Sequence, residues 1–251
     1  MTRIIMHGCN GKMGQVVSGL AAADENAEIV AGIDVNDREG NPYPVFRSLA
    51  ECDVEADVVI DFSYAGAVDG LMEACAAKKL PVVVCTTGLT EAQMAHLHEA
   101  ANEIPVLKSA NMSLGINLLM KILQPVAQTL AEAGFDIEIV EKHHNQKLDA
   151  PSGTALALAD SMNQALDEAY AYKYDRSQVR EKRAKNEIGI SAVRGGTIVG
   201  EHEVIFAGTD EVITFKHTAY SKAIFAKGAI QAAKFLAGQN LGFYDMSDVI
   251  G

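Results

Sequence analysis

The chain has 251 residues, with 21 Lys and Arg against 33 Asp and Glu, for a formal net charge of −12. That length holds one large or two modest domains with a proper core. The acidic balance argues against nucleic acid as a partner, because a phosphate backbone needs a basic face.

Cys9, Cys52, Cys75 and Cys85 show no C-x-x-C spacing, which reads as reduced thiols in a cytoplasmic protein rather than a disulfide framework. The N-terminus runs straight into a strand-like segment, with no room for a signal peptide. No apolar run approaches the roughly 18 residues of a membrane helix, so no membrane partner is expected.

Arg3 to His7 is a short β-rich run, followed by the turn Gly8-Cys9-Asn10-Gly11-Lys12-Met13-Gly14 and a helix over Gln15 to Ala23. A strand, a glycine-rich turn and a helix in that order bring backbone amides and a helix N-terminus to one point, which suits a pyrophosphate. The spacing G-x-x-G-x-x-G is looser than G-x-G-x-x-G, and any tight strand-to-helix turn uses glycine. The next strand, Glu28 to Asp34, strengthens the reading. It ends in an acid twenty residues after Gly14, where a carboxylate meets the ribose hydroxyls of a dinucleotide. Val35 follows Asp34, with no adjacent arginine for a 2′-phosphate, so NADH is favoured; Arg38 is close enough to admit NADPH.

The strand–helix rhythm continues with a strand over Ala56 to Ser63, a helix from about Ala65 to Lys78, a strand over Leu80 to Gly88, a helix over Glu91 to Asn102 and a strand over Ile104 to Asn111. Near-continuous apolar strands alternating with helices imply a parallel sheet covered on both faces. Ligands of such sheets bind beyond the C-terminal strand ends, where Asp61-Phe62-Ser63, Thr86-Thr87-Gly88 and Ser109-Ala110-Asn111 fall.

After Asn111 the pattern changes. Leu114 to Ala133 reads as a long helix, in which Pro125 predicts a kink or a break, with Gly134 as its C-cap. Phe135 to Glu141 alternates like a strand, and a helix follows from Thr154 to about Tyr170, capped by Ser152 or Thr154. The charged stretch Tyr172 to Asn186 reads as a solvated linker or helix face rather than a basic patch. Strands are expected over Glu187 to Arg194, Thr197 to Phe206 and Val212 to Thr218, the last two forming a hairpin through Gly208-Thr209-Asp210. A final helix, Lys222 to Ala237, returns to the first domain. The expected architecture is α/β: a Rossmann-like dinucleotide-binding domain from 1–112 and 222–251, and an α+β substrate-binding and oligomerisation domain over 113–221. The second domain would carry an open mixed sheet, mostly antiparallel.

The polar stretch between strand and helix, Glu141 to Ala155, concentrates the chemistry. Adjacent His143 and His144 point to opposite sides of an extended strand, so a metal site built from both is awkward and no metal is expected. His202 and His217 on the hairpin read as structural. A G-x-S-x-G elbow is absent, and Tyr220-Ser221-Lys222 lacks Tyr-x-x-x-Lys spacing. What remains is proton transfer by an imidazole near neutral pH, a cation at Lys147, and a Ser152-Gly153-Thr154 turn able to bind a carboxylate. The plainer reading is a polar surface loop that happens to hold two histidines.

Glu141 to Ala155 matches E-x-H-H-x-x-K-x-D-x-P-S-G-T-A without a gap, and Gly8 to Gly14 matches G-x-x-G-x-M-G. With Asp61-Phe62-Ser63, the Thr-Thr-Gly strand end, Ala110-Asn111 and Arg194 to His202 in order, the whole chain resembles the 4-hydroxy-tetrahydrodipicolinate reductase family. That resemblance implies NAD(P)H-dependent reduction of a cyclic dicarboxylate in the diaminopimelate route to lysine. It implies His143 as proton donor and acceptor and Lys147 as proton donor, with His144, Gly153 and Thr154 binding the dicarboxylate. The cofactor would be held by Gly8, Cys9, Asn10, Gly11, Lys12, Met13 and Asp34, by Cys85, Thr86 and Thr87, and by Ser109, Ala110, Asn111 and Met112. Members are commonly homotetramers. Cys85 stands where the family often has glycine, and Met112 where many members carry phenylalanine, which bears on cofactor affinity rather than on the reaction. Two other readings are a different two-domain nicotinamide-dependent dehydrogenase and a non-enzymatic NAD(H) sensor.

Overall fold

Thr2–His7 forms β1, in which Ile4, Ile5 and Met6 are all buried. A run buried on both faces is what an interior parallel strand requires. In the computed structural model, which describes residues 1–36 and 40–251, β1 leads into α1 (Lys12–Ala21), β2 (Ala27–Ile33) and a two-residue strand β3 (Val45–Phe46). Next come β4 (Val58–Asp61), α2 (Val68–Lys78), β5 (Val82–Val84), α3 (Glu91–Ala100) and β6 (Pro105–Lys108). The chain then makes α4 (Leu114–Glu132), β7 (Asp136–His143), α5 (Gly153–Ala165), β8 (Ala171–Tyr174), β9 (Glu187–Arg194), β10 (Gly200–Ala207) and β11 (Val212–Ala219). It closes with α6 (Ala223–Leu236), β12 (Gly242–Tyr244) and α7 (Met246–Ile250). Two compact units result: Met1–Ser113 with Ala223–Gly251, and Leu114–Lys222.

In the first unit the strand order is β12-β6-β5-β4-β1-β2-β3 and every pairing is parallel. All strand C-termini therefore meet at one edge, and the turns that follow them share that edge. Ile5, Val59, Val82, Val84, Met72 and Leu97 belong to the core beneath it, each such side chain stabilising the fold by about 1.5–3 kcal/mol. α1 begins at Lys12, three residues before the predicted start, because Gly11 takes the N-cap position. Two glycines make the turn possible. Gly8 has φ +81°, and a Cβ there would lie 2.6 Å from the Phe62 carbonyl oxygen. A Cβ on Gly14 would run into the Gly8 carbonyl.

The second unit is a five-stranded sheet in the order β11-β10-β7-β9-β8, with α4 and α5 on one face. Leu123 and Ala127 from α4 and Leu158, Ala159 and Met162 from α5 pack with Ile137, Ile139, Ile188, Ile190, Val204 and Phe206. The sheet is mixed: β10 pairs antiparallel with β11 and β7, but β9 pairs parallel with both β7 and β8. The antiparallel expectation thus holds for only half of the pairings: α5 lies between β7 and the later strands, and residues 175–186 between β8 and β9, and each connection returns the chain in the same direction.

Local departures have identifiable causes. α4 runs through Pro125 to Glu132 without the predicted break; burial of Leu123 and Ala127 offsets a proline cost of about 3 kcal/mol. α5 stops at Ala165 rather than near Tyr170. The Asn163 side chain accepts from Tyr170 N and donates to Tyr170 O, both at 3.0 Å, and Asp167 and Glu168 turn the chain at φ 55°. The stretch expected as a solvated linker begins with the edge strand β8, and its Arg183 donates to Asp136 and Glu138 of β7 at 2.8 and 2.9 Å. β3 is too short, and β12 too close to the terminal turn, to carry a periodic signal.

Candidate active site

The N-terminus of α1 opens on the C-terminal edge of the parallel sheet with no side-chain cap and no acid in its first turn. Its first-turn N–H groups thus retain their affinity for an anion. Asp34, just past β2, steadies the turn: Oδ2 accepts from Asn10 N at 3.0 Å and Oδ1 from Asn36 N at 2.9 Å. Each oxygen has a further lone pair for a ribose hydroxyl. A cavity of about 640 Å³ lies here, lined in part by Gly8, Gly11, Asp34, Arg47, Ser63 and Tyr64. Asp61, buried at the end of β4, accepts from His7 Nδ1 at 2.8 Å and from Ser63 N at 3.1 Å. The amide cradle, the Asp34 carboxylate with its remaining lone pairs and the volume fit a nicotinamide dinucleotide.

The other residues expected to hold that cofactor sit on the same edge, but not all by their side chains. Gly8, Asn10, Gly11, Lys12 and Met13 form the turn, and Thr86, Thr87, Ser109, Ala110 and Asn111 follow β5 and β6. Lys108 donates to the Thr86 carbonyl at 2.9 Å and Asn111 Oδ1 accepts from Ser113 N at 2.8 Å, which fixes both turns. Cys9, Cys85 and Met112 are buried, so a ligand would meet them through the backbone. Cys9 packs against Gly32, where a Cβ would come within 2.6 Å of its sulfur. Burial, with the Asp34 charge, pushes its thiol up to about 11. Burial likewise pushes the Cys85 thiol up. All four cysteines are free and buried. Arg38 lies outside the described residues.

In the second unit, β7 alternates strictly, and Ile137, Ile139, Glu141 and His143 share the buried face. Glu141 is fully buried. Its Oε2 accepts from His143 Nδ1 at 2.6 Å and Arg194 Nη1 at 2.8 Å, and its Oε1 from Arg194 Nη2 at 2.7 Å and Ser152 N at 3.0 Å. Burial raises the Glu141 pKa, but the hydrogen bonds from Arg194, His143 and Ser152 outweigh it, so the carboxyl lies below its ordinary value. An ionised Glu141 requires Nδ1 of His143 to carry a proton, which leaves Nε2 for proton exchange. Gly200 keeps that nitrogen clear, since a Cβ there would lie 3.1 Å from it.

Around this pair the loop presents its other groups. Lys147 Nζ lies 2.9 Å from Asp149 Oδ1. His144, the first residue beyond β7, is half-buried. Ser152 is the N-cap of α5, its Oγ accepting from Ala155 N at 3.2 Å and lying 3.0 Å from His202 Nε2. Gly153 opens the helix, and a Cβ on it would meet nothing within 4 Å. Gly153 and Thr154 occupy the first turn of this helix, where an anion is favoured. Among the described residues no three His, Cys, Asp or Glu side chains form a metal-binding group, and no helix is long and apolar enough to cross a membrane.

His202 is more than a strand filler. Its ring stands edge-on to His143, 5.2 Å between centroids. Burial first, and then the neighbouring His143, push it down to about 4. An unfolded histidine titrates near its ordinary 6.5, so the unfolded chain takes up the proton first. Stability is therefore intact above about pH 6.5 and falls as pH drops toward 4, by about 3 kcal/mol from this group. Urea midpoints measured from pH 7 to 4.5 are expected to fall less steeply in His202→Gln than in the unaltered chain; parallel slopes would assign the titration elsewhere.

The structure thus brings His143, Lys147, Gly153 and Thr154 to one loop and the nucleotide residues to one sheet edge. Glu141, Arg194, His202 and Arg47, none of them assigned a site role from the sequence, take places beside these residues, and Ser152, expected in the carboxylate-binding turn, also donates its backbone N–H to Glu141. Glu141 was detectable, since it stands two residues before His143 on a strand and must share its face. Arg194 was not, because it arrives through the parallel register His143↔Arg194. Arg47 follows β3, which pairs Phe46 with Ile33 beside Asp34.

Comparison with known proteins agrees along the whole chain. The family model for the dihydrodipicolinate reductase N-terminus matches residues 2–112 and that for the C-terminus residues 115–250. The 4-hydroxy-tetrahydrodipicolinate reductase of Caldanaerobacter subterraneus subsp. tengcongensis is 55% identical over 250 residues, covering 100% of this chain and 98% of the relative. That of Clostridium novyi is 50% identical with the same coverage. A dipicolinate-bound dihydrodipicolinate reductase from Paenisporosarcina sp. TG-14 superposes with a TM-score of 0.82 at 26% identity, covering 99% of both chains. The chain belongs to the dihydrodipicolinate reductase family.

Proposed function

We propose that this member of the family reduces 4-hydroxy-tetrahydrodipicolinate, after loss of water, to tetrahydrodipicolinate, with His143 and Lys147 managing the protons. The observation that carries this reading is the buried Glu141 carboxylate fastened to His143 Nδ1 at 2.6 Å, on the loop that also bears a lysine and leads into the N-terminus of a helix. A reduced nicotinamide, when bound, supplies the hydride. The first unit binds and orients the dinucleotide through the amides of Gly8 to Met13, the Asp34 carboxylate and the strand ends at 85–87 and 109–112.

The second unit handles the dicarboxylate. Gly153 and Thr154 at the start of α5, with His144, bind its carboxylate groups, and Lys147 neutralises charge and donates a proton. His143 exchanges a proton through Nε2, its ring held by Glu141. Hydride and proton together saturate one double bond. The relative solved with dipicolinate supports a planar cyclic dicarboxylate as the substrate class.

NADH is the preferred reductant because Asp34 suits free ribose hydroxyls and repels a 2′-phosphate. Arg47 lines the same cavity and offsets that repulsion, so NADPH is also used. Asp34→Ala should raise the Kd for NADH about tenfold and that for NADPH less, as read by nucleotide fluorescence titration. Equal changes would remove Asp34 from the ribose.

The protein works in the cytoplasm, in keeping with its four free thiols. It assembles as a homotetramer through the sheet face opposite α4 and α5, where Val193 and Val212 are exposed. The deciding experiment is loss of NADH absorbance with substrate generated in situ from pyruvate and aspartate semialdehyde by its synthase. Oxidation that depends on the synthase product is expected. No oxidation with either nucleotide, by protein that binds NADH, would return the loop to a different dehydrogenase or a sensor.

A further inference from the structure

Asp149 stands on the active loop two residues after Lys147, with its side chain 58% exposed and its Oδ1 2.9 Å from Lys147 Nζ. Its backbone is pinned: Arg194 Nη2, from the guanidinium that holds Glu141, donates to the Asp149 carbonyl at 2.6 Å. The side chain is therefore delivered to the lysine by a rigid anchor while remaining open to solvent. Lys147 and the first amide of α5 are also the groups assigned above to the substrate's carboxylate.

We propose that Asp149 is an internal competitor for that carboxylate: in the free protein it occupies Lys147, and an incoming dicarboxylate must displace it. This rests on the assignment of Lys147, Gly153 and Thr154 to the dicarboxylate. The chemistry is an exchange of like for like, one carboxylate leaving an ammonium as another arrives, with no proton gained or lost. The Asp149 carboxyl is held below the usual range by Lys147 first, against burial, which raises it, with further help from the backbone N–H groups of Asp149 and Gly153. It is charged throughout the neutral range, and its grip extends to the helix N-terminus as well as the lysine. A pinned anion of this kind keeps Lys147 oriented when no ligand is present. It also discriminates against weak monoanions, because only a ligand with further contacts repays the displacement.

The test is calorimetric titration of the full chain with pyridine-2,6-dicarboxylate, comparing the unaltered protein, Asp149→Asn and Lys147→Ala. Asp149→Ala takes the place of the first variant if that one does not fold, and NADH affinity serves as the check of integrity. Removing the competing charge should tighten dicarboxylate binding roughly two- to fivefold, the range expected of a half-exposed ion pair. A role confined to holding the loop in shape would move affinity the other way. Unchanged or weaker binding in the Asp149 variant therefore overturns the proposal. Lys147→Ala should weaken binding by about tenfold. If it does so while the Asp149 variant fails to tighten, only the competitor role falls; if it does not, the assignment of Lys147 falls and the competitor role with it.

Discussion

Replacement of Lys147 by alanine is expected to lower kcat by about 10²- to 10³-fold, the range for loss of a positioned proton donor, while the Kd for NADH changes less than about twofold. The separation follows from where the groups reside. Lys147 belongs to the 114–222 unit, and the amide cradle and Asp34 belong entirely to the 1–113 segment. The ammonium also neutralises a carboxylate, so KM for the dicarboxylate should rise together with the fall in kcat. Lys147→Arg should restore part of KM but little of kcat, because a guanidinium keeps the charge and does not give up its proton. Steady-state rates and nucleotide titration on the same preparations make the comparison. A large loss of NADH affinity in Lys147→Ala would detach this loop from the substrate.

Glu141→Gln should be the most damaging conservative change in the second unit. The carboxylate is fully buried and accepts four hydrogen bonds, two from Arg194. Neutralising it removes the carboxylate that the partly exposed Arg194 guanidinium holds at 2.7 Å, and losing hydrogen bonds to a charged group of this kind costs about 1.5–3 kcal/mol. The amide can present its N–H₂ to His143 Nδ1, which would reverse the ring's tautomer and put the proton on the wrong nitrogen. Urea unfolding should show a loss of about 1.5–3 kcal/mol, and kcat should fall by about 10²-fold or more even where the chain is folded. The two effects separate with temperature, since activity measured well below the unfolding transition reports the tautomer alone. A variant with unaltered stability and rate would mean that Glu141 neither carries charge nor orients the histidine.

How much of this was legible beforehand depends on the range over which each residue acts. The strand–turn–helix from Thr2 to Ala21 and the edge formed by successive parallel strands follow from local chemistry: buried β-rich runs, glycines where a Cβ has no room, and an acid at the end of the next strand. His143, Lys147, Gly153 and Thr154 lie within one short stretch, and their shared loop could be read directly. Partners brought by sheet register could not. Arg194 reaches Glu141 only because β9 runs parallel to β7, and nothing local in Glu187 to Arg194 distinguishes parallel from antiparallel pairing. Arg47 depends on a two-residue strand that has no periodicity to detect. His202 looked structural because the sequence does not reveal that Ser152 Oγ would come within 3.0 Å of its Nε2.

The chain order of the two units carries a consequence for synthesis. Leu114–Lys222 is one uninterrupted segment, whereas the other unit is complete only with Ala223–Gly251. Those last residues are not ornamental, since Ala226, Ala229, Ala232, Ala233 and Leu236 of α6 are buried and β12 pairs with β6. A chain emerging from the ribosome can therefore close the loop-bearing unit while its nucleotide-binding portion, although made first, still waits for its final helix. The earliest residues are among the last to reach their finished surroundings, and during that interval Val82, Val106 and their neighbours are the apolar surface a nascent chain must keep from its neighbours.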